Sequence, residues 1–168
     1  AVHYARTKKI PFLGICLGMQ CAVVEFARNV LKMENANSIE IDSETKFPVI
    51  SRMEEQKKLK KMGGTMRLGA YKCDIEKETL LHKIYKKETI LERHRHRFEF
   101  NNKYVKEFES KGLIFSGKNS KNQLMETIEI KDHPWFIGVQ FHPEYKSTVE
   151  NPHPIFLGLI EAGLKQSL

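Results

Sequence analysis

The order of apolar and polar residues in the first part of the chain predicts a helix, a strand and a second helix. Residues 10–15 are apolar throughout, which is typical of a short central strand covered by helices on both faces. Across residues 17–32 apolar side chains recur every three or four positions, so this segment is predicted to be an amphipathic helix. Residues 1–9 are predicted to end a preceding helix, with Val2 and Ala5 facing inward. This order indicates an α/β layer fold.

The remainder of the chain predicts a portion rich in β-hairpins. Residues 35–62 are polar with little periodicity, and residues 54–61 within them are predicted to form a mobile loop. Around this stretch, alternating patterns and turn residues predict further strands and helices. The strands are expected at residues 48–50, 65–73, 89–100, 113–116, 123–130 and 135–141, and the helices at residues 79–85, 103–110 and 155–166.

Composition limits the class of protein without identifying a function. The 168 residues suffice for one domain with its own core, and 40% hydrophobic and 29% charged residues are ordinary for a globular chain. No apolar run approaches the roughly 20 residues that cross a bilayer, so no membrane partner is predicted. The 3 cysteines lack a paired spacing, which argues against a disulfide scaffold or a metal site and favours a reducing cytoplasm. The net charge of +7 suits anionic ligands but decides nothing alone.

A cysteine lies between two glycines at the end of the first predicted strand. Gly14, Cys16 and Gly18 fit the strand–turn–helix elbow that exposes a nucleophile. The glycines are expected because side chains beside so sharp a turn would clash with the neighbouring helix and strand. Free N–H groups and the dipole at the helix start should favour the thiolate and lower the thiol pKa. The Leu17 N–H is placed to donate to an oxyanion.

The last predicted strand is followed directly by His142, Pro143 and Glu144. Residues two apart in an extended segment point the same way, so Glu144 can hold one imidazole nitrogen of His142 while the other faces a thiol. This is the orienter and base of a catalytic triad, and α/β folds build their sites at strand ends. Cys16, His142 and Glu144 are therefore predicted to be catalytic.

Other reactive residue types are predicted to be structural. Cys21 is expected on the apolar face of its helix and Cys73 on a strand, both as buried thiols. The basic run at residues 93–97 is expected to be a solvated strand in part. A nucleic-acid site would need interleaved stacking aromatics, so no nucleic-acid partner is predicted. Three histidines are expected to be satisfied surface or core residues: His3, His82 and His153.

The two motifs together resemble the class I, triad-type glutamine amidotransferases, which combine G-x-C-x-G-x-Q with a later H-P-E. Here these are residues 14–20 and 142–144. Longer stretches are similar to the glutaminase domains of the CTP synthases within that family. The resemblance implies a mainly parallel central sheet flanked by helices, with an added antiparallel β portion. The similar stretches cover most of the chain, at residues 16–20, 22–29, 36–40, 63–69, 92–99 and 138–144.

The resemblance also implies a reaction and a substrate. Cys16 would attack the side-chain amide of L-glutamine to give a glutamyl thioester and ammonia. His142 would transfer the proton, and Glu144 would orient the His142 imidazole. Glu40 matches the residue that holds the substrate α-amino group, and Arg97 matches the partner of its α-carboxylate. The remaining substrate-binding residues implied by the family lie directly after the nucleophile: Leu17, Gly18, Met19 and Gln20.

The glutaminase domain itself is expected to need no cofactor. For the full-length enzyme, the resemblance implies ATP, Mg²⁺ and the activator GTP, a synthetase domain that converts UTP to CTP, and a homotetramer in the cytoplasm. Residues 63–69 resemble the lid that responds to GTP. Residues 1–168 are expected to be one N-terminally truncated domain, because the first strands and the glycine-rich oxyanion loop should precede Ala1. Such a fragment is expected to be poorly active alone, and the synthetase domain is absent from it.

Two alternative interpretations remain open at this point. The chain could serve another amidotransferase, for example in GMP or carbamoyl-phosphate synthesis, although the residues around Gly64 and Arg97 disfavour this. It could also be a non-enzymatic binding module with a cysteine elbow. That alternative predicts no trapping of the thiol by a glutamine analogue.

Overall fold

A computed structural model describes residues 1–52 and 66–167 of the chain. The helices are α1 (Val2–Lys8), α2 (Leu17–Asn29), α3 (Leu80–Tyr85), α4 (Val105–Ser110) and α5 (Pro154–Ser167). The strands are β1 (Phe12–Ile15), β2 (Asn37–Ser38), β3 (Pro48–Arg52), β4 (Arg67–Ile75), β5 (Thr89–His96), β6 (Phe98–Phe100), β7 (Leu113–Asn119), β8 (Leu124–Ile130) and β9 (Phe136–Val139). Within the described ranges, two short 3₁₀ helices lie at Asn102–Tyr104 and Pro143–Lys146.

Six of the described strands form one sheet in the order β1-β9-β8-β7-β4-β5, and β2, β3 and β6 form a smaller one. Only the β1–β9 pair of the larger sheet is parallel, whereas its other described pairs are antiparallel. The α/β class and the antiparallel portion follow the sequence prediction. The predicted mainly parallel sheet is therefore not what the described residues form: four of the five neighbouring pairs are antiparallel, and short hairpin connections join β7 to β8 and β8 to β9.

The parallel pair is apolar on both faces because helices cover both. On one face, Phe12 and Phe136 pack into a core with α2, and their rings stack with centroids 4.5 Å apart. On the other face, Leu13, Ile137 and Val139 join a second core beneath α3 and α5. Successive residues of a strand point to opposite sides, so this continuous apolar pattern is what two covered faces require. The predicted central strand is thus confirmed.

The predicted elements mostly occur where the patterns placed them, with small shifts at the ends. The helix expected to reach residue 32 ends at Asn29, and the segment at residues 89–100 divides into β5 and β6. The predicted mobile loop, and all but residues 66–69 of the segment at residues 63–69, lie outside the described residues. No helix in the described ranges is long and apolar enough to span a membrane.

Candidate active site

Cys16 forms the turn between β1 and α2. Its backbone angles, φ 50° and ψ −102°, lie outside the regions that residues other than glycine ordinarily adopt. Its N–H donates to the Val139 carbonyl at 2.7 Å, which fixes the turn to the end of the neighbouring strand β9. This is the sharp strand-to-helix elbow that the glycine pattern predicts.

The two glycines around Cys16 have different roles. A Cβ atom at Gly14 would lie 2.7 Å from the carbonyl carbon of Gly18 and 2.9 Å from the Met19 nitrogen, both backbone atoms of α2. Glycine is therefore required at position 14, as predicted. A Cβ atom at Gly18 would meet nothing within 4 Å in the described structure, so the predicted clash is wrong at that position. Gly18 instead borders open space beside the nucleophile.

The Cys16 thiol is half-buried, and its surroundings act on its pKa in opposite directions. Burial is the largest influence and raises the pKa, and the carboxyl groups of Glu99 and Glu144 raise it further. The Leu17 N–H and the Gln140 amide lower it. The helix start thus lowers the pKa of the thiol as predicted, but the net direction is upward, so the expected low pKa is wrong. Desolvation of a thiolate in a half-buried site outweighs the dipole of the helix.

A buried amide pair lies beside Cys16, and its member Gln140 was not predicted as part of the site. Gln140 Nε2 donates to the Cys16 sulfur at 3.6 Å, and Gln20 Nε2 donates to Gln140 Oε1 at 3.2 Å. Gln20 Nε2 also donates to the Phe98 carbonyl at 3.1 Å. Gln140 lies two residues before His142, in the same stretch that carries the family resemblance. Its position on the Cys16 side of β9 depends on the β1–β9 register, which the sequence does not reveal.

His142 and Glu144 form the pair that the sequence predicts. His142 Nδ1 lies 2.6 Å from Glu144 Oε1, and the His142 N–H donates to the Arg93 carbonyl at 2.8 Å. Tyr145 stacks on the imidazole, with ring centroids 5.1 Å apart. The other ring nitrogen, Nε2, is buried and has no hydrogen-bond partner among the described residues. Hydrogen bonding of Nδ1 to a carboxylate leaves Nε2 as the nitrogen that can exchange a proton with a reacting group.

Cys16 and His142, the predicted nucleophile and base, lie at one edge of the larger sheet. Cys16 follows the carboxyl end of β1, and His142 follows the carboxyl end of the parallel strand β9. Gln140, between Val139 and His142, contacts the Cys16 sulfur directly. Ends of parallel strands are where α/β sheets bind ligands. The arrangement therefore has a thiol, an oriented imidazole and amide donors on one side of the sheet.

The predicted substrate residues differ in accessibility. Leu17 and Glu40 are exposed, Arg97 is half-buried with an Nε atom that has no hydrogen-bond partner in the described structure, and Gln20 is buried. Met19 lies on the core-facing side of α2 and is fully buried, so its side chain is not available to a ligand. No hydrogen bond or ion pair among the described residues joins Glu40 or Arg97 to the triad residues.

A buried charged cluster, formed by Arg67, His94, His96, Glu99 and Glu126, lies behind the site. Arg67 Nη1 is 3.4 Å from Glu99 Oε1, and Arg67 Nη2 is 2.6 Å from Glu126 Oε1. His94 Nδ1 and His96 Nε2 are 2.8 Å apart. Burial, together with Arg67, lowers the pKa of His94 to about 2 and that of His96 to about 3. Burial raises the pKa of both carboxyl groups.

The inward direction of these charged residues corrects part of the sequence interpretation. In β5 the arginines are exposed as predicted, but the histidines between them face the interior. Cys73 is buried as predicted, whereas Cys21 is exposed. Cys21 lies on the side of α2 that faces away from the sheet, because the apolar face of α2 is centred on Met19, Val23 and Phe26.

Comparison of the sequence with known proteins identifies a family. The sequence profile described as glutamine amidotransferase class-I matches residues 1–162. The chain is 55% identical over 168 residues to the CTP synthase of Christiangramia forsetii and 59% identical over 162 residues to that of Cytophaga hutchinsonii. These matches cover 100% and 96% of this chain but only 31% and 30% of those relatives. The chain therefore spans under a third of the length of the curated relatives that it matches.

Comparison of the fold agrees. The glutaminase domain of Trypanosoma brucei CTPS with bound acivicin matches with a TM-score of 0.92 and 38% identity, covering 98% of this chain and 64% of that one. A glutamine amidotransferase from Thermotoga maritima matches with a TM-score of 0.52 and 15% identity over 85% of this chain and 44% of that one, which shows a common fold alone. The α/β fold implied by the sequence motifs is confirmed. The chain belongs to the class-I glutamine amidotransferase family.

Proposed function

We propose that this chain is the glutaminase domain of a CTP synthase and that it hydrolyses L-glutamine to release ammonia. The proposal is supported by the identity to CTP synthases and by the likeness to a CTPS glutaminase domain that binds acivicin. The observation that carries it is the 2.6 Å contact between His142 Nδ1 and Glu144 Oε1, with Nε2 buried and free of a described partner. This oriented base lies at the same sheet edge as the Cys16 elbow.

The proposed reaction has two steps on Cys16. The sulfur attacks the carboxamide carbon of glutamine, and the thiol proton passes through His142 Nε2 to the leaving nitrogen, which departs as ammonia. A water molecule then attacks the thioester carbon and gives a proton to His142, which returns it to the departing sulfur as glutamate leaves. Glu144 stabilises the imidazolium that forms in both steps. The Leu17 N–H donates to the oxyanion of each tetrahedral intermediate.

Recognition of the amino-acid end of glutamine is assigned to two charged residues. Glu40 would accept from the α-ammonium group, and Arg97 would pair with the α-carboxylate. The Arg97 Nε atom supports this role because it is buried without a described partner, and guanidinium groups bind carboxylates bidentately. Leu17, Gly18, Met19 and Gln20 line the substrate, with Met19 contributing backbone only, since its side chain lies in the core.

The remaining parts of the proposal concern the protein that carries this chain. A synthetase domain would receive the ammonia and use ATP with Mg²⁺ to convert UTP to CTP, and GTP would activate the glutaminase. No residue of this chain is assigned to these ligands. A homotetramer in the cytoplasm is proposed from the same family membership, and three free cysteines suit a reducing compartment.

The test is reaction of the intact protein that carries this chain with the glutamine analogue diazo-oxo-norleucine. The adduct should map to Cys16, and the Cys16→Ala and His142→Ala variants should neither form it nor hydrolyse glutamine. The Cys21→Ala variant is the matched control, because Cys21 is a more exposed thiol in the helix that follows Cys16 and its loss should change nothing. An adduct on Cys21 or Cys73 would contradict the mechanism. Amination of an acceptor other than UTP would favour a different amidotransferase.

A further inference from the structure

The turn that bears His142 and Glu144 has little support of its own. It is a 3₁₀ helix of 4 residues, Pro143–Lys146. The hydrogen bonds at its two ends are long: the Tyr145 N–H donates to the His142 carbonyl at 3.2 Å, and the Ser147 N–H donates to the Glu144 carbonyl at 3.4 Å. Short 3₁₀ segments have poor hydrogen-bond geometry. The position of the imidazole therefore depends on contacts with neighbouring elements.

Strand β5 holds this turn at both ends through three consecutive residues. At the start of the turn, the His142 N–H donates to the Arg93 carbonyl at 2.8 Å. At its end, Lys146 Nζ donates to the Leu91 carbonyl at 2.7 Å and to Glu92 Oε1 at 3.3 Å. The lysine therefore has a polar partner on the backbone and another on a side chain of the same strand.

Glu92 is itself fixed from the interior. Its side chain is 2% exposed, whereas the Lys146 side chain is 44% exposed. His153 Nδ1 accepts from the Ile155 N–H at 3.4 Å, so its Nε2 bears the proton and donates to Glu92 Oε1 at 3.2 Å. The Tyr85 hydroxyl lies 3.5 Å from the same oxygen. Lys146 therefore pairs with a buried carboxylate whose position is fixed by its contacts with His153 and Tyr85.

His153 also contacts the residue that follows the 3₁₀ helix. The His153 N–H donates to Ser147 Oγ at 3.0 Å. These contacts join β5, the 3₁₀ helix and the start of α5. Among the described residues that make them, Lys146 and Glu92 form the one pair of oppositely charged side chains. An exposed pair of this kind contributes little, but here one partner is buried and would be left uncompensated if the other were removed.

We propose that Lys146 and Glu92 are positioning residues that hold the His142–Glu144 pair at the productive distance from Cys16. This inference rests on the proposed glutaminase function. Neither residue touches the reacting atoms. Lys146 acts through the turn, and Glu92 acts through Lys146. Displacements of about 1 Å at a general base can cost on the order of 100-fold in rate. Loss of the Lys146 contacts with β5 should therefore lower the turnover rate more than it lowers the stability of the fold.

The test compares Lys146→Met with Lys146→Arg in the intact protein. The methionine keeps the length of the apolar stem but cannot donate, so we expect kcat for glutamine hydrolysis to fall by roughly 10-fold while KM changes less than about 2-fold. Arginine restores a charged donor and should return kcat to within about 3-fold of wild type. The isosteric Glu92→Gln variant keeps an acceptor for His153 and leaves the Leu91 contact intact, so its kcat should be intermediate.

The matched control is Lys77→Met. Lys77 Nζ lies 2.8 Å from Glu88 Oε1 with both side chains 68% exposed, and no hydrogen bond or ion pair among the described residues joins this pair to the triad turn. Its loss should leave kcat and KM unchanged. Wild-type kcat in Lys146→Met, with Cys16 still labelled by diazo-oxo-norleucine, would overturn the positioning role and leave the glutaminase function standing. Equal loss in the arginine and methionine variants would also overturn it. A wild-type protein without hydrolysis or labelling would overturn both proposals.

Discussion

Gln140 is the residue whose effect on the nucleophile is easiest to isolate. Its amide donates to the Cys16 sulfur and opposes the rise in pKa caused by burial. Reaction with the analogue requires the thiolate, so labelling should increase with pH through the alkaline range. Gln140→Leu removes the donor and should move this pH profile upward by about one unit, since a hydrogen bond to a charged group contributes about 1.5 kcal/mol.

The measurement is the rate of Cys16 labelling as a function of pH. Gln140→Glu provides a graded comparison, because it keeps an acceptor for Gln20 but replaces the donor with a negative charge. Its profile should lie at still higher pH than that of the leucine variant. Identical profiles for all three proteins would show that the amide does not act on the thiol.

The two glycines of the elbow provide a second comparison of single residues. Gly14→Ala should destabilise the fold by about 1–3 kcal/mol, because the added methyl group meets backbone atoms of α2 that cannot move aside. Gly18→Ala should leave the free energy of unfolding within about 1 kcal/mol of wild type, the ordinary difference between glycine and alanine in a helix. Urea unfolding measures both. If the Gly18 variant folds normally but labels Cys16 slowly, the open space beside Gly18 belongs to the substrate.

At the scale of secondary-structure elements, α3 depends on a partner distant in sequence. Glu129 of β8 is buried, and its two carboxylate oxygens accept from the Leu80 and Leu81 N–H groups at 2.9 Å each. Thr79 Oγ1 adds the local cap by accepting from the His82 N–H at 3.2 Å. Glu129→Ala should therefore lower the free energy of unfolding by about 2–3 kcal/mol, since it leaves two donors without their charged acceptor.

Chemical denaturation of the Glu129→Ala variant tests this. Glu107→Ala is the matched control, because Glu107 lies in the first turn of α4, is exposed and caps no N–H group among the described residues. Its loss should change stability by less than about 0.5 kcal/mol. Equal stability of the two variants would mean that α3 is held by its apolar contacts alone.

These elements also show how far sequence patterns predict the fold. Apolar periodicity is enough to find β1, α2 and α5, because hydrophobic burial alone positions them. It cannot orient β5, where arginine and histidine alternate, since both are polar and the pattern has no apolar side. It also cannot find the Glu129 cap, because the acceptor and the donors are far apart in the chain and meet through the pairing of β7 with both β4 and β8.

The same distinction applies to the candidate site. Cys16, His142 and Glu144 follow from local geometry, which is encoded within a few residues. The contact of Gln140 with the thiol and the direction of the Cys16 pKa depend on which residues the sheet brings together and on how much water they exclude. Burial is a property of the whole fold, so the helix start alone does not determine the net direction of the Cys16 pKa.

At the scale of the whole molecule, the buried charged cluster should determine stability in acid. His94 and His96 are neutral in the folded protein down to pH about 2 and about 3, but become protonated near pH 6.5 when unfolded. The unfolded state then binds more protons, so stability falls as the pH decreases. Between pH 6.5 and 4.5, Glu99 and Glu126 oppose this, because their raised pKa values make the folded state bind extra protons.

Below pH 4.5 the two carboxyl groups of the cluster are protonated in both states, and within the cluster only the histidine effect remains. The contribution of the cluster to stability should then fall by up to about 3 kcal/mol per pH unit, the effect of two protons, until the pH approaches about 3. Urea unfolding at intervals between pH 6 and 3 measures the slope. Replacing His96 by glutamine should roughly halve it, whereas replacing His82, which is not buried in the cluster, should not. An unchanged slope in the His96 variant would contradict this explanation.

Because of the backbone conformation at position 16, stability favours glycine there, whereas the proposed activity requires cysteine. The Cys16 φ of 50° and ψ of −102° are unfavourable for any residue with a Cβ atom, by about 1–2 kcal/mol, and are adopted more readily by glycine. Cys16→Gly should therefore unfold at a higher denaturant concentration than Cys16→Ala, although neither variant has the thiol that the proposed reaction requires. A laboratory selection for heat resistance alone would then favour loss of the reactive thiol while it retained the core. Only a selection that also requires glutamine hydrolysis would keep cysteine in this turn.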